Sequence, residues 1–308
     1  MAGNLKQLSH KPERLASGHR LCAGCGAPII VRQILSGVDG PLVIANATSC
    51  LQVTTSVYPY SNWRCSWIHS AFENTAATIG GVEAAYRALK KRGEIDEDYK
   101  FMAIGGDGGT FDIGLQSLSG ALERGHKFVY VCYDNEAYMN TGVQRSSATP
   151  FGAWTTTSPV GEIGRGKPMG RKDLTAIVAA HRIPYVAQAS PSHWKDMVTK
   201  AEKAFNADGP AFLNVISPCV PGWKYDTELT IKLAKSAVDS CYWPLYEIEN
   251  GQYKVTYRPK EKKPVVEFLK PQGRFKHLLD PKNKQLLDNL QAQVDRDWEE
   301  LLRKAGEG

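Results

Sequence analysis

Two hydrophobic patterns alternate along the 308 residues: short runs of consecutive apolar residues, and longer stretches with apolar residues every three or four positions. The runs PLVIANAT (41–48), KFMAIGG (100–106), KFVYVCYDN (127–135), YVAQAS (185–190) and PAFLNVISP (210–218) have the length and composition of buried strands. Between them lie helical patterns. CAGCGAPIIVRQIL opens on a tight turn and continues as an apolar helix. The Ala-rich stretch 69–92 ends in basic residues that suit a helix C-terminus, and DIGLQSLSGALERG has apolar residues at 113, 115, 118, 121 and 122, giving one buried face. DLTAIVAAHRIP and HWKDMVTKAEKAFNADG supply two more. Strands joined through helices by short connections form βαβ units, so the pattern predicts an α/β fold: a parallel sheet with helices on both faces.

After Pro221 the pattern changes. YWPLYEIENGQYKVTY predicts a hairpin turning at Asn250-Gly251, and residues 284–303 carry Leu286, Leu287, Leu290, Val294, Trp298, Leu301 and Leu302 at helical spacing. The chain therefore divides into a sheet domain over 1–222 and a C-terminal part over 223–308: hairpin, arm and amphipathic helix, packing on the domain or on partner subunits. No internal repeat or low-complexity tract interrupts this order.

Composition narrows the class. With 42% hydrophobic residues the chain can bury a large core. No stretch approaches the ~18 apolar residues of a membrane span, and the N-terminus lacks the apolar centre of a secretory signal. A cytoplasmic protein is expected, and its seven cysteines are then not a disulfide framework. The net charge of +6 is concentrated: residues 252–284 hold ten Lys/Arg and three acids, a segment at +7, which leaves the remainder at −1. Without groove-reading or base-stacking elements this does not describe a nucleic-acid binder. It describes a basic arm, solvated or docked on an acidic partner. Its prolines and its apolar Val265, Val266, Phe268 and Leu269 predict an extended wrap on partner subunits, with folding back on its own domain as the alternative.

The sharpest chemistry lies in GGDGGTFDIG and YDNEAYMNTG. A glycine-rich turn after a strand lets backbone approach a diphosphate, and the following helix offers free N–H groups and its positive dipole end. An Asp there is a natural Mg²⁺ ligand. Alone, GGDGG is compatible with an ordinary tight turn. Paired with Asn135, which follows Gly108 after 26 intervening residues, it matches the thiamine-diphosphate signature; one βαβ crossover brings both ends to the carboxyl edge of the sheet, where ligands of open α/β sheets bind. Cys22 and Cys25 form CxxC, by itself open among zinc, a redox dithiol and an iron–sulfur cluster. Cys132, within an apolar run, reads as a buried small hydrophobe. Cys65 and Cys241 receive no role.

The segment from GGDGGTFDIGLQSLSGALERG to SPVG resembles the β subunit of pyruvate:ferredoxin oxidoreductase and its relatives, and the likeness extends from CAGCG to QGRFKHL. This resemblance implies that Asp107, Asn135 and the Ala137 carbonyl hold Mg²⁺. It places thiamine diphosphate against Gly106, Asp107, Gly108, Gly109, Asn135, Ala137, Asn140 and Thr141, with Asn140 at the reactive, catalytic end. It also implies that Cys22, Cys25, Cys50 and Cys219 ligate a [4Fe–4S] cluster, zinc on the same thiols being the alternative. The implied activity is coenzyme A-dependent oxidative decarboxylation of a 2-oxoacid, pyruvate foremost, with electrons passed to ferredoxin. The activating Glu would come from a separate α subunit, alongside γ- and δ-type subunits; Glu73 is the only local candidate. Oxalate, another 2-oxoacid, or a non-redox thiamine-dependent decarboxylase subunit are the alternatives.

Overall fold

The computed structural model describes residues 4–307. A short helix α1 (Leu5–Ser9) precedes α2 (Gly26–Ser36), and β1 (Leu42–Ala47) leads into α3 (Cys50–Thr55). Then follow β2 (Ser66–Ser70), α4 (Thr75–Lys91) and β3 (Lys100–Gly106). A π-helical turn, Gly108–Ile113, feeds α5 (Leu115–Glu123), after which come β4 (Val129–Asp134), α6 (Leu174–Ala179), β5 (Tyr185–Ala189), α7 (Trp194–Asn206) and β6 (Ala211–Ile216). Helix α8 (Val220–Trp223) spans the 222/223 division, and the C-terminal part holds α9 (Thr230–Asp239), β7 (Leu245–Glu249), β8 (Gln252–Tyr257), α10 (Val266–Leu269) and α11 (Lys284–Lys304).

All eight strands form one sheet in the order β2-β1-β3-β4-β6-β5-β7-β8. The first six are mutually parallel, as the βαβ reading requires. The hairpin does not stand apart: β7 pairs antiparallel with β5, so the sheet is mixed at that edge and runs without a break across the 222/223 division. Asn250 and Gly251 both take positive φ, 51° and 83°, the conformation a tight two-residue hairpin turn requires.

Strands β4 and β6 are buried along their whole length, hence their continuous apolar runs. One core lies between the sheet and α2 and α7, with Ile30, Ile34, Leu213 and Met197; another lies on the opposite face, with Ile79, Leu118 and Phe212. A third joins the C-terminal part to the end of β6. In it Val265, Phe268, Leu269, Phe275 and Leu278 are at most 1% exposed, packed with Trp223, Leu233 and Trp243.

The arm therefore folds on its own domain, against the expectation of an extended wrap. Its cations pair within the chain too: Arg258 with Glu307, Lys262 with Asp295, and Lys263 with Asp239. Val265, Phe268, Leu269 and these three cations have thus found their partners in the same polypeptide. Three local expectations also differ. Residues 69–74 are the end of β2 and a turn, so the helix starts only at Thr75. Residues 112–113 belong to the π turn, and Ile113, expected on the buried face, is 61% exposed. Helix α9 arises in a stretch for which no element was predicted. Among the described residues no helix is long and apolar enough to cross a membrane.

Candidate cofactor and cluster site

Four parallel strands carry the chemistry to one edge of the sheet. β1 ends two residues before Ser49 and three before Cys50, β3 runs directly into Asp107, β4 into Asn135, and β6 ends three residues before Cys219. This is the carboxyl edge, beside the β1/β3 boundary at which the winding direction reverses.

Asp107 is completely buried. Its Oδ1 accepts the Asn135 N–H at 3.2 Å and its Oδ2 accepts the Ser146 hydroxyl at 2.6 Å. One terminal atom of the Asn135 amide stands 2.8 Å from both Asp107 Oδ1 and the Ala137 carbonyl oxygen. With nitrogen there, the amide donates to both. With oxygen there, three oxygens meet, and only a cation among them makes that favourable. Neighbouring oxygens of a Mg²⁺ octahedron, with bonds of ~2.0–2.1 Å, are about 2.9 Å apart. The spacing thus fits the ion, and the three groups are those predicted to bind it. Burial, together with the nearby Asp134 and Glu136 carboxylates, holds the Asp107 carboxyl well above its ordinary range. A cation would reverse that cost.

The turn beyond Asp107 is tightly walled. A Cβ on Gly108 would lie 2.4 Å from the Tyr138 ring, and one on Gly109 would lie 2.8 Å from the Phe72 carbonyl oxygen. The π turn that starts there has N–H groups without intrahelical acceptors, the feature that binds phosphate at helix starts. Gly106, Gly108, Gly109, Ala137, Asn140 and Thr141 all line one cleft with Asp107 and Asn135. Asn140 and Thr141 are exposed at its mouth. Thr48, Phe72, Tyr133, Tyr138 and Met139 also line it and were not foreseen. Glu73 is exposed and stands outside the lining, so it offers no activating carboxylate there.

Cys50 lines the same cleft. Three of the four predicted ligand cysteines sit at helix starts: Cys25 before α2, Cys50 opening α3, and Cys219 before α8. The CxxC loop is fixed to the Cys219 segment by the Gly26 N–H, which donates to the Pro218 carbonyl at 3.1 Å. Gly24 has φ +72°, and a Cβ there would strike the Thr227 carbonyl oxygen at 2.5 Å. The thiols lie within electrostatic reach of one another. Burial first, then the charges of Cys25, Cys50 and Cys22, push Cys219 up to about 12. Burial and then Cys25, Cys22 and Asp107 do the same to Cys50. Such a group of thiols suits a centre that takes all four as thiolates. Among the described residues no three His, Cys, Asp or Glu close on a single ion. Cys132 and Cys241 are buried and Cys65 partly so, apart from this set.

The supports of the site were mostly invisible in the sequence. Ser146, which holds Asp107, lies in a loop braced by the buried Lys167, whose ammonium donates to the Ser147, Thr149 and Gly170 carbonyls. Burial and the nearby Arg145 and Arg171 push Lys167 down to about 8. Trp223, fully buried, donates its indole N–H to the Asn135 carbonyl at 2.8 Å. Its position in SPCVPGW was the one available signal.

Residues 46–215 match the family described as Thiamine pyrophosphate enzyme, C-terminal TPP binding domain. The chain is 54% identical to the pyruvate synthase subunit PorB of Thermotoga maritima, over 98% of this chain and 96% of that one. It is 43% identical to the ketoisovalerate oxidoreductase subunit VorB of Pyrococcus abyssi, over 95% and 94%. A 2-oxoglutarate:ferredoxin oxidoreductase from Magnetococcus marinus shares the fold, with a TM-score of 0.57 and 21% identity over 75% of this chain and 81% of that one. Similarity of this extent, end to end on both sides, means that the chain belongs to the thiamine pyrophosphate enzymes, in the group of the pyruvate synthase PorB subunits.

Proposed function

We propose that this chain is the thiamine-diphosphate-binding subunit of a 2-oxoacid:ferredoxin oxidoreductase that acts on pyruvate with coenzyme A. The observation that carries the reading is the meeting, in one cleft, of the three-oxygen cluster at Asp107 and the thiol Cys50. A non-redox thiamine enzyme has no use for the second.

In this reading Asp107, Asn135 and the Ala137 carbonyl hold Mg²⁺, and the turn at Gly106, Gly108 and Gly109 receives the diphosphate. Asn140 stands at the reactive end, and Thr141 lines the cofactor cleft beside it. Cys22, Cys25, Cys50 and Cys219 hold a [4Fe–4S] cluster, whose thiolate ligation they match in number and softness. Thiamine diphosphate supplies the decarboxylation chemistry when bound, and the cluster supplies one-electron transfer. The protein's part is positional. Tyr138 and Phe72 close the turn against water, Ser146 orients the Asp107 carboxylate, and Trp223 fixes the Asn135 backbone. The activating Glu comes from an α subunit, since Glu73 stands outside the cleft; γ- and δ-type subunits and ferredoxin complete the path. Similarity to a VorB subunit keeps a branched 2-oxoacid as the second reading.

Reduction of a low-potential dye by the assembled complex, measured across a panel of 2-oxoacids with coenzyme A, tests this. Pyruvate is expected to give the highest kcat/KM. Turnover without dye reduction would reject the redox assignment.

A further inference from the structure

Glu136 stands between two of the groups that face the cation position, the Asn135 side chain and the Ala137 carbonyl. Its φ of 67° is left-handed, a conformation a residue with a long side chain keeps only when its surroundings impose it. They do so completely. The carboxylate is wholly buried. Oε2 accepts from Arg274 Nη2 at 2.5 Å, and Oε1 accepts from the Tyr242 hydroxyl at 2.7 Å and from Arg171 Nη1 at 3.2 Å. The backbone N–H donates to Asp134 Oδ1 at 3.0 Å, and the carbonyl accepts from Thr149 at 2.6 Å.

Arg274 comes from the C-terminal arm, 138 positions away in sequence. It is 2% exposed, a burial that a cation reaches only with full compensation. Its Nε donates to Gln272 at 2.9 Å, and its guanidinium lies 4.0 Å from the centre of the Trp223 ring. That ring in turn holds the Asn135 carbonyl. Trp223 thus holds the Asn135 carbonyl and Arg274 the Glu136 carboxylate, and the two holders stack on each other. The planar guanidinium suits this double task, since it stacks on an aromatic ring and pairs with a carboxylate together.

We propose that Arg274 is a positioning residue of the divalent-cation site. By fixing Glu136 in its left-handed turn, it presents the Asn135 and Ala137 oxygens to the ion, so the arm completes the cofactor site. This rests on the reading that Asp107, Asn135 and Ala137 hold Mg²⁺ for thiamine diphosphate.

The test uses the whole complex, stripped of cofactor and titrated with Mg²⁺ at saturating thiamine diphosphate, binding being followed by calorimetry. Arg274→Gln is expected to raise the half-saturating Mg²⁺ concentration about 10- to 100-fold, the range typical for residues that orient metal ligands. At saturating Mg²⁺ kcat should return to within about twofold of wild type, and iron content should be unchanged, effects a general loss of stability would not produce. Because Arg274→Gln leaves Glu136 less compensated, the double variant Arg274→Gln/Glu136→Gln removes both charges. It too is expected to need more Mg²⁺. Wild-type Mg²⁺ dependence in either folded variant, even with a lower melting temperature, would overturn the positioning role. Failure of the wild-type complex to bind Mg²⁺ and thiamine diphosphate would instead reject the underlying site.

Discussion

Asp107→Asn should separate the cost of the cation site from its use. The substitution keeps the shape: the amide oxygen in the place of Oδ1 can still accept the Asn135 N–H, and the amide NH2 in the place of Oδ2 can donate to the Ser146 hydroxyl oxygen once that hydroxyl turns round. What it removes is one fully buried negative charge. Without a cation that charge is costly: desolvation of a buried carboxylate amounts to several kcal/mol. Two hydrogen bonds to a charged acceptor, ~1.5–3 kcal/mol each, offset much of this but not the repulsion from Asp134 and Glu136. The metal-free variant is therefore expected to be more stable than wild type by about 1–2 kcal/mol, or roughly 1.5–3 °C in melting temperature for a chain of this size. With cofactor the order reverses. Ligand at a hundred times its Kd stabilises the wild type by ~2.7 kcal/mol. The variant, lacking an anionic ligand, should bind at least about 100-fold more weakly, a loss of ~2.7 kcal/mol. Scanning calorimetry with and without Mg²⁺ and thiamine diphosphate would display the crossing. A metal-free variant that melts below wild type, together with an undiminished shift on adding cofactor, would refute both the buried-charge reasoning and the ligand assignment.

Cys50→Ser should lower the iron content after anaerobic preparation, since a hard oxygen replaces a soft thiolate, whereas Cys132→Ser should not; equal iron in the two would remove Cys50 from the ligand set. Glu247 offers a pH effect. Burial pushes its carboxyl up, but hydrogen bonds from Lys203 and Tyr185 outweigh this and hold it below its usual value. A lowered carboxyl stabilises the fold above its unfolded pKa of ~4.3, and that contribution disappears as pH falls through the lower folded value. Glu247→Gln should therefore narrow the stability difference between pH 6 and pH 3 in urea unfolding, and an unchanged difference would dismiss the pair as a source of acid sensitivity. Deleting residues 265–308 should abolish folding. Burying Val265, Phe268, Leu269, Phe275 and Leu278, at ~1.5–3 kcal/mol each, contributes roughly 8–15 kcal/mol, comparable to a whole domain's stability. A truncated chain with a cooperative melt by circular dichroism would contradict this.

The parallel strands were legible because burial on both faces demands unbroken apolar runs, and β4 and β6 satisfy that over every residue. Strand β2 was not. It is an edge strand paired only with β1, only Ser70 of its five residues is buried, and SWIHS shows no apolar run. The alanine-rich signal of α4 then extended backwards over it. The phase of α5 was misjudged for a different reason. A π turn holds more residues than an α turn, so residues on either side of it no longer share one face, and Ile113 turns to solvent while Leu118 stays buried. The arm is the plainest case of information lying elsewhere in the chain. Val265, Phe268 and Leu269 announce that they need cover, but only the folded structure shows Trp223 and Leu233 supplying it.

The site divides along the same line. Residues proposed to touch a ligand were readable because backbone chemistry fixes their spacing: a glycine turn at one strand end and an Asn at the next. Residues that hold those groups in place answer to tertiary packing, so Ser146 and Arg274 carried no local signal, and Trp223 carried only its place in SPCVPGW. The segment Cys219–Trp223 shows why this matters. At one end Cys219 belongs to the thiol group; at the other Trp223 anchors Asn135. Between them Gly222 lies so close to Met139 that a Cβ would meet its sulfur at 2.2 Å. Met139 lines the cleft beside Asn140. One five-residue stretch thus packs against both the thiol group and the cation turn. Substituting Gly222 would force the flexible end of the Met139 side chain to move, so a change made beside Cys219 reaches the cleft that Met139 lines.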